Sequence, residues 1–132
     1  VTEFVFRFEQ IYRVATEDEH ENNFSVFYNF PNNGRKFIET LLYFKYPDYK
    51  TKNDDKIINY FGDENAPFMQ RINNEYSHGE DRFDRTRNPI NTCEFKHDAR
   101  IILGALHRND PEQFKSFLNN SNLTHPDFLE DR

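Results

Sequence analysis

The stretch that most narrows what this chain can become is RKFIETLLYFKYPD, residues 35–48. Phe37, Leu41 and Phe44 recur at helical spacing, with Ile38 and Leu42 beside them, and Pro47 stops the pattern because the residue before a proline is pushed out of the helical region. The spacing therefore predicts a helix over 35–46 with one apolar stripe. A single stripe must be covered by other elements, and the rest of the chain supplies mostly helices. Phe4, Phe8, Ile11 and Ala15 predict a helix over 3–19, although FVFRF alone also alternates as a strand. NNFSVFYNF is a second short apolar segment, and PNNG is expected to interrupt whatever precedes Arg35.

Beyond Pro47, YPDYKTKN reads as a turn. DDKIINYFG reads as a short helix with an acidic first turn and Gly62 as its stop. DENAPFMQRINNEYSHG follows, with Asp63 as cap, Pro67 tolerated in the first turn and Gly79 just past the end. Residues 79–91 carry mixed charge without periodicity, which suits an exposed loop. NTCE offers a capping box of Asn91 and Glu94 ahead of Phe95, Ala99, Ile102 and Leu106. DPEQ repeats the device with Asp110, Pro111 and Gln113 ahead of Phe114, Phe117 and Leu118. The last dozen residues look like a frayed tail. The expected fold is all-α: one compact bundle of about five or six helices over residues 1–132, with a tail from about 119.

Composition sharpens this picture. Fifteen Phe and seven Tyr carry much of the apolar content, so the core is expected to be built from rings. No apolar run approaches a membrane span and no signal peptide is visible, so a soluble cytoplasmic protein is expected. The lone Cys93 excludes an internal disulfide and a zinc site of several thiolates, and is expected to pack. A chain that begins at Val1 and enters a helical pattern at once suggests a piece of a longer protein. Net charge is -6, but residues 1–34 hold six acids and two bases, residues 109–132 five and two, and residues 35–108 are balanced, with 12 acids and 13 bases. Charge neither supports nor forbids RNA.

Two places hold candidate chemistry. Around residue 71, Phe68, Ile72 and Tyr76 share one helix face, while Arg71, Asn74, Glu75 and His78 share the other. Most such polar faces are only solvated, with Arg71 and Glu75 as a weak pair. On the first helix discussed, Arg35 and Glu39 are also spaced i, i+4, an ordinary surface ion pair unless Glu39, at the border of the apolar stripe, is partly desolvated. Were the two helices adjacent, guanidinium, carboxylate and imidazole would share a cleft. That trio suits cleavage of RNA by its own 2′-hydroxyl, which needs a base, an acid and positive charge on the phosphorane oxygens, and no metal. Gly34, Gly62, Gly79 and Gly104 form no Walker-type loop. His97 and Asp98 make a poor metal pair, His20, His107 and His125 lack a ligand at useful spacing, and no base is evident for a Cys93 nucleophile.

RKFIETLLYFKYPD, then FMQRINNEYSHG, then ARIILGALHRNDPEQF together resemble the C-terminal region of bacterial ABC-type ATPases of the RloC and PrrC kind, anticodon nucleases of phage defence. The resemblance spans about residues 24–118. It implies an RNA endonuclease cutting tRNA in the anticodon loop, leaving 2′,3′-cyclic phosphate and 5′-hydroxyl ends, with Arg35 stabilising phosphate and Glu39 and His78 transferring protons. The run from Arg71 to His78 also looks like the Arg-x(4-6)-His motif of all-α HEPN ribonucleases, whose paired subunits build the cleft. That version makes Arg71 and His78 catalytic, with Asn74 or Asn73 in support. RNA contacts are then expected from Arg82, Arg85 and Arg87. The resemblance further implies a linked or partner ABC-type ATPase that binds ATP or GTP, no cofactor or metal in this segment, no membrane, and a homodimer or higher assembly. The alternative expectation is a non-catalytic helical module that transmits the ATPase state or docks a partner, which includes docking a nuclease carried by another chain.

Overall fold

The structure is a computed structural model, and it describes residues 2–74 and 92–129. Among these residues there are seven α-helices and no strand: α1 (Glu3–Thr16), α2 (Phe24–Tyr28), α3 (Phe30–Lys45), α4 (Asn53–Phe61), α5 (Ala66–Asn74), α6 (Thr92–Asn109) and α7 (Pro111–Asn120). The fold is a compact all-helical one, with one helix more than the upper sequence expectation because the short apolar segment NNFSVFYNF contributes a separate α2. FVFRF is helical, opened by Thr2, whose Oγ1 accepts the Val5 amide at 3.2 Å.

PNNG does not interrupt the chain before Arg35, as expected; it forms the first turn and a half of α3. Pro31 stands at the start, where its missing N–H has no partner to lose. Gly34 lies buried, and a Cβ there would stand 3.5 Å from the Phe30 ring and 3.7 Å from Ile102. The helix ends at Lys45, with the Tyr46 amide on the Leu42 carbonyl at 2.8 Å and Pro47 next. Gly62 ends α4 at φ +89°, its amide donating to the Ile58 carbonyl at 2.8 Å. Asp63 is not the cap of α5. The Gly62 carbonyl accepts the Ala66 amide at 3.0 Å, so a turn over 63–65 leads into a helix that begins at Ala66.

α1 packs against α3 and α6, α6 carries α7, and α5 lies against α3 and α4. The centre is aromatic. Phe8 stacks on Phe117 with centroids 4.4 Å apart and meets Phe114 edge-on at 6.1 Å; Phe4 stacks on Phe37 at 4.8 Å. Each fully buried ring contributes about 1.5–3 kcal/mol of transfer free energy. The apolar stripe of α5 is Ala66, Met69 and Ile72, not Phe68, whose ring lies on the border against His97 at 4.8 Å. Phe44 also leaves its expected stripe: it is 70% exposed. Cys93, expected to pack, is exposed on the first turn of α6.

The frayed tail is a further correction. Residues 121–129 fold back onto the bundle, where Leu123, Phe128 and Leu129 pack against the core. Arg100 covers the Phe128 ring at 4.7 Å, and the Tyr12 hydroxyl donates to the Thr124 carbonyl at 2.8 Å. Asp110 occupies the position before α7 but caps nothing with its side chain. Its carboxylate instead accepts from Lys45 Nζ at 3.0 Å and from the Tyr60 hydroxyl at 2.7 Å, tying the α6–α7 corner to α3 and α4. Near the other end, buried Asn23 accepts the His20 amide at 2.8 Å and donates to Glu17 and to the Asp18 carbonyl, which satisfies a polar group in the turn after α1.

Candidate functional site

On α3, Arg35 and Glu39 meet as their spacing predicts, with the guanidinium donating to Glu39 Oε2 at 3.1 Å and to Asn32 Oδ1 at 3.2 Å. The burial is the reverse of the expected one. The arginine side chain is 20% exposed and that of Glu39 is 53% exposed, so Glu39 is not desolvated by its stripe. It faces outward because residue 39 falls outside the arc of Phe37, Ile38, Leu41 and Leu42 on the helical wheel, beyond Leu42.

That carboxylate lines a groove of about 250 Å³ where α3, α4 and α5 meet. Leu42 and Tyr43 of α3, Asn53 and Lys56 of α4, and Asn73 of α5 form the rest of the lining. The adjacency of α3 and α5 that the sequence left conditional is therefore present, and Asn73 is the α5 residue that reaches Glu39's groove. Leu42 supplies a short apolar floor beneath an otherwise polar rim.

Arg71 turns away from this groove. Its guanidinium donates to Asp98 Oδ2 at 2.9 Å and stands 3.3 Å from Glu94 Oε1, both on α6, and it covers the Phe68 ring at 5.9 Å. Asp98 has no exposed side-chain surface. Burial pushes its carboxyl above the usual range, while Arg71 and His97 oppose that shift. His97 Nδ1 lies 3.3 Å from Asp98 Oδ1, so these two neighbours interact. Arg71 is thus committed to a buried ion pair that bonds α5 to α6. Asn74 is exposed on α5. Glu75, Tyr76, His78, Gly79, Arg82, Arg85, Arg87 and Asn91 lie outside the described residues.

Sequence reasoning weighed Asp98 only as a metal ligand and missed it as the partner of Arg71, although a signal existed: an acid three residues after Phe95 and next to Ala99 sits on the buried stripe of α6. Lys56, Asn53 and Tyr43 gave no such signal, because only the crossing of three helices brings them to Glu39. Among the described residues no group of three or more His, Cys, Asp or Glu is placed to hold a metal ion, and no helix is long and apolar enough to cross a membrane. The chemistry on hand is that of a carboxylate, a guanidinium, an ammonium and two amides around one groove.

Fold and groove together define an α-helical domain whose sequence contains no Gly-rich phosphate loop of its own. The family model described as an AAA domain matches residues 1–104, and the chain belongs to that family. No curated protein and no solved structure matches the chain.

Proposed function

We propose that this chain is a metal-independent endoribonuclease domain of bacterial phage defence, governed by a linked ABC-type ATPase and cutting tRNA in the anticodon loop. The observation that carries the reading is the shared groove: Glu39 of α3, held by Arg35, and Asn73 of α5 line one depression. Asn73 precedes His78 by five residues in sequence, and the AAA family membership fits an ATPase partner.

In the proposed reaction a 2′-hydroxyl attacks the adjacent phosphorus. Glu39 takes the hydroxyl proton, Arg35 stabilises the phosphorane oxygens, and His78 protonates the departing 5′-oxygen, so that a 2′,3′-cyclic phosphate and a 5′-hydroxyl result. The Glu39 carboxylate that accepts this proton is oriented by the Arg35 guanidinium at 3.1 Å. Arg71 has no catalytic part in this scheme, since its guanidinium is engaged by Asp98.

The test is incubation of the full-length protein with total tRNA under conditions that activate the ATPase, followed by mapping of the ends. Cyclic-phosphate ends that disappear in Glu39→Gln and in His78→Ala are expected. Intact tRNA, or cleavage unchanged in both variants, refutes the proposal. A second reading, a non-catalytic docking module, draws on the exposed aromatic side chains of Tyr43, Phe44 and Tyr49. It predicts that the Glu39 and His78 variants behave as the parent and that substitutions at Phe44 uncouple the ATPase.

A further inference from the structure

The groove beside Glu39 has two features that general acid–base chemistry does not use. Tyr43 stands one helical turn beyond Glu39 with its ring 62% exposed. Its edge-to-face contact is with Phe44 at 5.4 Å, itself a solvent-exposed ring, so packing does not explain the tyrosine. Opposite, on α4, Lys56 is half-buried and forms no hydrogen bond or ion pair among the described residues. The carboxylate electrostatically coupled to it is Asp48, which holds its own hydrogen bonds from the Lys50 amide and the Thr51 hydroxyl. Asn53 and Asn73 add amide donors and acceptors at the rim.

An exposed ring, a lysine and two amides around a shallow space form the recognition set for an unpaired nucleotide. Bases stack on aromatic faces in single-stranded RNA recognition, amides read their edges, and a cation neutralises the neighbouring phosphate. At about 250 Å³ the groove is just below the smallest ligand pockets, about 300 Å³, which suits one splayed nucleotide and not a duplex. We infer that Tyr43 and Lys56, with Asn53 and Asn73, form a subsite that holds one unpaired ribonucleotide next to the scissile phosphate, Tyr43 stacking on the base and Lys56 contacting a phosphate. The inference rests on the endoribonuclease reading and supplies its selectivity for loops over helices. It also gives an acidic chain a local cation at the groove itself.

The test uses the full-length protein and a fluorescein-labelled anticodon stem-loop RNA with 2′-deoxyriboses in its loop, which cannot be cleaved, read by anisotropy across a salt series. Tyr43→Ala is expected to weaken binding about 10-fold and Tyr43→Phe to leave it unchanged, as stacking requires. Lys56→Ala is expected to weaken binding and to lower the slope of log affinity against log salt by about 0.7, the value for one phosphate contact on a single strand. The same strand annealed to its complement is expected to bind weakly. Because neither side chain belongs to the buried core, thermal unfolding of the variants should match the parent.

Wild-type affinity in both Tyr43→Ala and Lys56→Ala overturns the subsite. If Glu39→Gln still abolishes tRNA cleavage in that case, the nuclease reading stands without it. If the binding pattern is as expected but activated protein leaves tRNA intact, the subsite stands as an RNA-binding element and the cleavage reading falls. Failure of the parent to bind the loop RNA overturns both.

Discussion

Replacing Arg71 by methionine keeps most of the side-chain stem and removes the cation, leaving Asp98 with no exposed side-chain surface and no guanidinium. Breaking a buried pair by removing one partner costs about 3–5 kcal/mol. The low end applies here, about 3 kcal/mol, because the Arg71 side chain is 29% exposed and water can partly replace it. Loss of the Glu94 contact adds only about 0.5 kcal/mol, as for other exposed pairs.

Protonation of Asp98 sets a ceiling. Lifting a carboxyl from its ordinary 3.8 to neutrality costs about 4 kcal/mol at 1.36 kcal/mol per unit, so 3 kcal/mol remains attainable at pH 7. The sign follows from linkage. Burial raises the folded-state pKa of Asp98, so its stabilising contribution is full below 3.8 and is lost as pH rises through the folded value. Arg71 limits that loss, and the variant enlarges it.

Thermal unfolding should therefore show Arg71→Met lower by about 10 °C at pH 7, at roughly 3–4 °C per kcal/mol for a domain of this size. The deficit should close towards pH 4. The double variant Arg71→Met/Asp98→Asn should recover most of it, and Asp98→Asn alone should stay within about 1 kcal/mol of the parent. An equal deficit in the single and double variants, or one that does not shrink on acidification, refutes the assignment of a buried charge held by Arg71.

Phe8→Ala removes a fully buried ring that touches Phe117 and Phe114, and should cost about 4 kcal/mol in a denaturant titration with little change in slope. Gly62→Ala meets no atom within 4 Å yet forces φ +89° on a residue with a Cβ, so a loss of about 1–2 kcal/mol is expected from backbone strain alone. Tyr60→Phe deletes the hydroxyl that donates to Asp110 at 2.7 Å and should destabilise by about 2 kcal/mol by chemical denaturation. In Tyr60→Phe the high-pH limb should change little, because burial and Asp110 hold that phenol protonated well above the usual tyrosine range.

Much of the fold was legible locally. The 3.6-residue spacing of Phe37, Ile38, Leu41 and Leu42, of Phe95, Ala99, Ile102 and Leu106, and of Phe114, Phe117 and Leu118 marks buried faces that the structure reproduces. Pro47 and Gly62 mark ends because each restricts or frees its own backbone. The Arg35–Glu39 pair was equally local, being one helical turn long. Errors arose where a local rule met a distant partner. PNNG reads as a breaker until Pro31 is seen to start a helix whose Gly34 packs at Phe30 and Ile102. Asp110 reads as a cap until Lys45 and Tyr60, 65 and 50 residues away, take its oxygens.

The sequence by itself determined most of the helices and most of their apolar faces, since both follow from the spacing of side chains along one backbone. It also placed carboxylate and guanidinium on the same turn of α3. Tertiary structure alone decided which polar groups share a space. It turned Arg71 from the groove to Asp98, because the packing of α5 on α6 sets a buried carboxylate 2.9 Å from that guanidinium. It also brought Lys56 and Asn73 to Glu39, because the crossing of α3, α4 and α5 follows from packing whole helix faces together, which no single stretch of sequence contains.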